Sequence, residues 1–520
     1  MTPFDSTGAF CPAAEAGNLR RLAVRGAATT ISASVIGVLA QVVSTVILAR
    51  LLTPADFGVV AMVTAFSFIL VSVGVTGFTE AVIQSEEMDR YTASNLFWVN
   101  SGAGLVLSIA FAAAGSVLAR FYRNPLVENV AIGLSLSIFI GGTSVIHLAL
   151  LKRAMQFSAT ASNDVAGRVA NTAVAVLLAL RGWGYWALVA GMVAQQVSLM
   201  IGAWWLCRWI PNPPRRTGKT AATIRFGAKV YAQFGLRYST QNLDNLLIGW
   251  RFNAVALGFY KRAYDLFALT ASQLTGPLCD VALTSLSRLN QDAARFRRYL
   301  VTSLGIIGFV GMAVSADLTL VGKDMLRLVL GPQWSESGRI FQRLGPGIGA
   351  MLLCSTVGWI HMSIGKPGRW LRWTFVEFSV TAALFLLALP WGPKGIAAAW
   401  SVSYWILLAP AFWYAGRPIG FGVSSLIAAV GRYAAAALLA GFATAAIFRG
   451  MLVSASHVGS AAALQNVIIV SAAFIALYLG AVILLHWGCA PLRQVAGLLR
   501  DLAPTRRATN AVAEPVGEGK

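Results

Sequence analysis

From Thr29 to His486 the sequence repeats one theme: an apolar run, a short polar break, and another apolar run. Runs of about 20 residues, wound as α-helix, match the thickness of bilayer hydrocarbon. The pattern predicts spans near 29–49, 57–78, 95–118, 126–151, 164–180, 185–206, 230–250 and 255–285. Six more follow near 300–321, 344–364, 370–389, 396–413, 433–448 and 464–486, fourteen in all. Composition agrees: of 520 residues, 57% are hydrophobic and only 12% charged. A soluble chain carries about twice that charge. The fold class is therefore an all-α polytopic membrane protein with about fourteen transmembrane helices.

The formal charge of +21 raises the question of nucleic acid, and its distribution answers it. Of the 41 Lys and Arg, 27 fall in the two tails, the even-numbered connections and the helix ends bordering them (Arg168 and Arg372), 11 in the odd-numbered connections and three deeper within helices. Basic residues accumulate on the cytoplasmic side, so both termini are expected there, with the excess charge also suiting anionic headgroups of membrane lipids. No basic patch with interleaved aromatics points to a nucleic-acid partner. Five scattered cysteines and four histidines show no paired or metal-ligand spacing, so neither a metal nor another cofactor is expected. The first 28 residues lack an apolar core with a cleavage site and read as a cytoplasmic tail before a signal-anchor helix.

The first hairpin, Val42–Phe66, turns at Thr53-Pro54-Ala55-Asp56. Shifted by 200 positions it lies over a second hairpin: Ile47-Leu48-Ala49 on Leu247-Ile248-Gly249, Thr53 on Asn253, Gly58 on Gly258. A repeat after six helices restores the same membrane orientation, as in transporters built from parallel halves; chance similarity between apolar hairpins is the competing reading. Between the halves, 207–229 is proline-rich and the most basic connection. Its Gly218-Lys219-Thr220 lacks the first glycine and the preceding strand of a phosphate loop, and reads as a basic linker on the inner leaflet. The segments Leu283–Leu300 and Gly322–Arg343 read as an inner and an outer connection, the latter the largest outside segment.

The second hairpin, within Val230–Thr270, carries Arg237, Asp244, Lys261, Arg262 and Asp265 inside segments long enough to span. Charges at membrane depth are costly unless paired or facing a cavity, and by default mark a substrate or ion path. Two readings stand side by side: such a path, or Asp244 and Lys261 neutralising each other in a packed bundle. Lys261 and Asp265, four apart, also favour a local ion pair. If the path takes an anion, Arg237, Lys261 and Arg262 are the candidate binding groups, since a guanidinium can fork onto an anion's oxygens. Gln241 and Tyr264 are candidates for polar contacts with a substrate, with Gln233, Tyr238 and Asn242 beside them. Asp244 and Asp265 are candidates for a coupling proton or cation.

Four stretches taken together carry a family resemblance: ILARLLTPADFGVVAM (Ile47–Met62), GWGYWALVAGMVAQQ (Gly182–Gln196), LDNLLIGWRFNAVALGFYKRAYDL (Leu243–Leu266) and SLSRLNQDAARFRR (Ser285–Arg298). With GKPGRWLRW (Gly365–Trp373), they resemble the Wzx-type polysaccharide and oligosaccharide flippases of the multidrug/oligosaccharidyl-lipid/polysaccharide superfamily. The resemblance implies two six-helix lobes around a central cavity, residues 29–206 and 230–413, plus two C-terminal helices in 414–490 and a tail over 491–520. It implies an undecaprenyl-diphosphate-linked oligosaccharide as cargo, moved by alternating access across the bacterial inner membrane for surface polysaccharide synthesis. Coupling to H+ or Na+ and contact with polysaccharide polymerase or export machinery are implied as well. No enzymatic activity is expected, because no outer connection is long enough to carry catalytic groups. The rival within the superfamily is a cation-coupled drug exporter, which intramembrane basic residues disfavour; a scaffold without transport activity has the same sequence signature.

Overall fold

Inside hydrocarbon every backbone amide must find its partner within its own segment, and a helix achieves this alone. A computed structural model of the chain, describing residues 3–10, 19–72, 78–85, 88–215, 238, 242–288, 292–449, 460–489 and 493, follows that rule. The described residues form sixteen α-helices and three short 3-10 turns, with isolated bridges but no strand. In chain order the first eight are α1 (Leu19–Leu51), α2 (Pro54–Ser72), α3 (Thr79–Gln84), α4 (Arg90–Tyr122), α5 (Leu126–Arg153), α6 (Phe157–Leu180), α7 (Tyr185–Cys207) and α8 (Leu243–Arg251). The rest are α9 (Ala254–Arg288), α10 (Ala293–Leu330), α11 (Ser335–Leu344), α12 (Gly347–Ser363), α13 (Pro367–Ala388), α14 (Gly392–Gly416), α15 (Val423–Ile447) and α16 (Ser460–His486). Setting aside the short α3 and α11, thirteen of them fall on predicted spans, and α8 covers the described end of the span expected at 230–250, whose earlier part lies largely outside the described residues. Seven stretches are long and apolar enough by themselves to cross a membrane.

Two expected connections are largely helical. α9 runs to Arg288 and α10 begins at Ala293, where Asp292 accepts from the amides of Ala294 (3.1 Å) and Arg295 (3.0 Å). Those amide hydrogen bonds, the Arg295 one foremost, hold the Asp292 carboxyl below its ordinary pKa. At its far end α10 continues to Leu330, because Met325-Leu326-Arg327-Leu328-Val329-Leu330 keeps an apolar face after hydropathy falls. Gly331 (φ +106°) and Pro332 then stop it, and the amphipathic α11 buries Ile340, Phe341 and Leu344.

The chain divides into two compact units. The first comprises Met1–Asp265, Leu326–Ile340 and Phe378–Ala399. Within it α5 is the most enclosed helix, and it meets α4 along small residues. The Gly104 and Gly142 backbones approach there, Asn100 Nδ2 donates to the Gly142 carbonyl (2.6 Å) and Ser108 Oγ to that of Ser135 (2.7 Å). Close backbone approach through small residues, with polar side chains as cross-links, is how helices associate where lipid removes the hydrophobic drive. Pro3–Phe10, read from sequence as part of a tail, straps this unit. The Arg90 amide donates to the Gly8 carbonyl (2.9 Å), Phe4 packs on Trp209 and the Arg153 guanidinium lies 5.0 Å from the Phe10 ring centre. The described start of the basic linker is tied to α4, with Asn212 and Arg215 amides donating to Ser94 Oγ and Asn95 Oδ1; residues 216–229 lie outside the described residues.

The second unit comprises Leu266–Met325, Phe341–Glu377 and Trp400–Lys520. Its final pair, α15 and α16, pack together, and Tyr478 of α16 donates to the Phe309 carbonyl of α10 (2.7 Å).

Candidate functional site

The two hairpins that the 200-residue offset aligns meet in the first unit. Each second helix is started by a side-chain cap at an equivalent position: Thr53 accepts from the Asp56 amide (3.3 Å) and Asn253 Oδ1 from the Ala256 amide (2.8 Å). Asp56 closes the first cap by accepting from the Thr53 amide (2.9 Å) and hydroxyl (2.6 Å). One turn on, the helices touch backbone to backbone. A Cβ at Gly58 would sit 1.7 Å from the Ala254 carbonyl oxygen, and one at Gly258 would sit 1.8 Å from that of Pro54. Residue 58 meets 254 while 258 meets 54, the reciprocal exchange of a two-fold contact. Only glycine fits at either position.

Trp334 seals this meeting point. Fully buried, it packs edge-on against Phe57 and Phe259 with ring centres 5.5 and 5.9 Å away. Its Nε1–H donates to the Ala49 carbonyl (2.8 Å), and Gln333 Nε2 donates to the same oxygen (2.5 Å). These donors satisfy a carbonyl in the last turn of α1, where intrahelical partners run out. Sequence periodicity gives no signal for this tryptophan, which lies in the segment read as an outer connection.

Beyond the glycines the second hairpin carries its charges. Asp244 is fully buried in the first turn of α8; its Oδ2 accepts from the Tyr260 hydroxyl (2.7 Å) and its Oδ1 from the Asn245 amide (2.8 Å). Tyr260 is also fully buried, and the Tyr264 ring stacks beside it at 6.1 Å. Lys261 is ion-paired to Asp265 one turn along α9, and Arg262 Nη1 lies 3.6 Å from the other Asp265 oxygen. The Arg262 guanidinium sits 3.9 Å over the Phe57 ring, and its Nε has no hydrogen-bond acceptor.

The structure thus brings Asp244 to Tyr260, and Lys261 and Arg262 to Asp265. The expected alternative of Asp244 neutralising Lys261 gives way to the local pair. Arg237, Gln241 and Gln233 lie outside the described residues. Tyr238 is stacked on Phe68 at 4.9 Å, and its carbonyl accepts from Asn242 Nδ2 (3.0 Å), so aromatic and amide surface adjoins the charged group. Lys261, Arg262 and Asp265 sum to one positive charge, and Asp244 brings the formal balance to zero. An anion reaching Lys261 must therefore compete with Asp265, whose pair with Lys261 is about one-third exposed.

One intramembrane carboxylate escaped the sequence reading. Asp317, within α10 of the second unit, accepts from Ser471 Oγ of α16 (3.2 Å), while its other oxygen is buried without a partner. A lone acid in an apolar run was the available signal.

The sequence profile of the family described as polysaccharide biosynthesis protein matches residues 47–339, more than half of the chain. The chain is 22% identical over 356 residues to the lipopolysaccharide biosynthesis protein WzxC of Escherichia coli (strain K12), covering 67% of this chain and 69% of the relative. It is 22% identical over 335 residues to the succinoglycan biosynthesis transport protein ExoT of Rhizobium meliloti (strain 1021), covering 64% and 68%. Among solved structures, the lipid II flippase MurJ in an inward closed conformation superposes with a TM-score of 0.70 at 13% identity, covering 89% of this chain and 98% of that one. An inward-facing multidrug resistance MATE family transporter follows at 0.61 and 12%, covering 74% and 94%. The structural likenesses establish a shared polytopic transporter fold, and the profile match over both hairpins and the charged group places this chain in the polysaccharide biosynthesis protein family.

Proposed function

We propose that this chain is a flippase that moves an undecaprenyl-diphosphate-linked oligosaccharide across the bacterial inner membrane for surface polysaccharide synthesis. The observation that carries the reading is the second hairpin. In a family of polysaccharide biosynthesis proteins, it holds two cations and two carboxylates at membrane depth beside tyrosine and asparagine side chains. A diphosphate and several sugars crossing hydrocarbon need cationic partners for the phosphates and hydrogen-bonding surface for the sugars. Lys261 and Arg262 supply the first, with Arg237; Tyr264 and Gln241 supply the second. Asp244 and Asp265 serve as the coupling groups for H+ or Na+, Asp265 by releasing Lys261 when it is neutralised. Two six-helix lobes, 29–206 and 230–413, alternate access to the cargo, both termini face the cytoplasm, and the chain catalyses no covalent step. Polysaccharide polymerase and export machinery receive the delivered cargo.

Flipping in proteoliposomes tests this, with protection of an undecaprenyl-diphosphate oligosaccharide from an added sugar-modifying enzyme as the readout. Wild type is expected to flip, Lys261→Gln to slow at least tenfold and Asp265→Asn to change its dependence on an imposed ion gradient. A folded Lys261→Gln protein as fast as wild type removes the site assignment. Failure to flip, with export of a small organic cation, moves the chain to the drug-exporter reading that its MATE-like fold also accommodates.

A further inference from the structure

In the second unit the junction of α12 and α13 gathers positive charge, with no counter-ion among the described residues. α12 ends on Gly365 in the left-handed region (φ +67°), with the Lys366 amide donating to the His361 carbonyl (3.0 Å) and the Gly365 amide to that of Met362 (3.1 Å). α13 begins at once, and its first turn holds Arg369 and no acidic residue. This opposes the helix dipole, whose N-terminal end is partially positive and favours anions. Arg372, three residues on, shares the face of Arg369 and repels it. Among the described residues no carboxylate forms an ion pair with Lys366, Arg369 or Arg372.

Beneath these cations lie donors without acceptors. Arg369 places its guanidinium 4.3 Å over the Tyr414 ring and donates through Nη2 to the Tyr414 carbonyl (2.6 Å), yet its buried Nε has no partner. His361 packs against the same ring, centroids 5.7 Å apart, fully buried and with neither ring nitrogen hydrogen-bonded. Buried polar atoms without partners are rare in folded proteins, and two on one ring call for a common explanation. A charge bias between the two membrane faces accounts for exposed Lys366 and Arg372 but not for orphaned donors under them. Trp373, stacked on Tyr414 at 5.9 Å, is the residue type that sits at headgroup level.

We propose that Lys366, Arg369, Arg372 and His361 form a binding site for a phosphate group at the membrane surface, carried by a phospholipid headgroup or by a free phosphate species. The exposed cations capture the anion, and Arg369 Nε–H and the His361 ring N–H gain their missing acceptors as the Tyr414 layer adjusts. The site uses none of the groups placed on the second hairpin and stands whether or not the flippase reading does.

The chain has four histidines, so ring 15N spectra of histidine-labelled full-length protein in detergent give four sets of signals, with His361 assigned by its loss in His361→Gln. Dioleoyl phosphatidylglycerol is added as the probe, and dioleoylglycerol, which lacks phosphate, as its control. The His361 signals are expected to shift with the phospholipid alone, and Lys366→Gln/Arg372→Gln is expected to weaken the response about thirtyfold, the effect of two headgroup-facing cations. The charge-keeping Lys366→Arg/Arg372→Lys protein should respond as wild type, and three unmoved histidines report an intact fold. Inorganic pyrophosphate that reproduces the shift identifies free phosphate as a ligand, whereas a shift with phospholipid only identifies a lipid site; both uphold the proposal. A His361 that moves with neither phosphate probe, or an equal response in the doubly neutralised protein, overturns it.

Discussion

Asp244 shows how a single buried group is made tolerable at membrane depth. A carboxylate removed from water must be paired or hydrogen-bonded, and the Tyr260 hydroxyl and the Asn245 amide are among the donors that serve it here. Removing the hydroxyl leaves a buried acceptor short of a donor, so Tyr260→Phe is expected to destabilise the protein by about 1.5–3 kcal/mol, the range for hydrogen bonds to charged groups. Thermal unfolding in detergent reads this, and Tyr260→Phe/Asp244→Asn should recover part of the loss. The pairing was only half legible in the sequence. Lys261 and Asp265 are one helical turn apart, so their contact follows from spacing alone. Tyr260 and Asp244 lie on different helices, and which side chains face across a hairpin depends on a rotation that spacing leaves undetermined.

At the scale of elements, the meeting of the two hairpins is fixed by backbone rather than side chains. A methyl group at Gly58 or Gly258 cannot be absorbed by a rotamer change, since the obstacle is a carbonyl oxygen less than 2 Å away. Gly58→Ala and Gly258→Ala are each expected to separate α2 from α9. The measurement is crosslinking between cysteines introduced at Ala55 and Val255, which should fall well below that of the unaltered hairpins. Gly441→Ala, where an added Cβ meets only a methyl at 4.0 Å, should leave the same crosslink unchanged. The repeat announced this contact in outline, aligning the two glycines without saying that they touch. The longer helices were less visible: past the bilayer α10 loses its hydropathy yet keeps its periodicity, so a reading by apolar run ends too early.

For the molecule as a whole, the succession of spans was legible because hydrocarbon thickness sets their length and exclusion of charge marks their ends. The sidedness of those spans rests on the bias of Lys and Arg, and labelling of intact cells tests it. In a background with its five native cysteines changed to serine, Trp183→Cys should react with a membrane-impermeant maleimide. Pro214→Cys should react only after the cells are opened. The reverse pattern would place the termini outside. What no single-chain reading could supply is the strap made by Pro3–Phe10, whose polar sequence carries no span signal and whose order comes from the surface it lies on.

The reciprocal glycines also bear on how such a chain can change over generations. Each hairpin presents its glycine to the other's turn, so neither has a private version of this contact to alter. A substitution at 58 is judged by residue 254, and one at 258 by residue 54. The charged positions have no reciprocal counterpart: Val60, Ala61 and Met62 stand where the second hairpin has Tyr260, Lys261 and Arg262, and the contact of Arg262 with the Phe57 ring runs one way. The two hairpins are thus free to differ in what they hold while remaining bound to agree on where they touch.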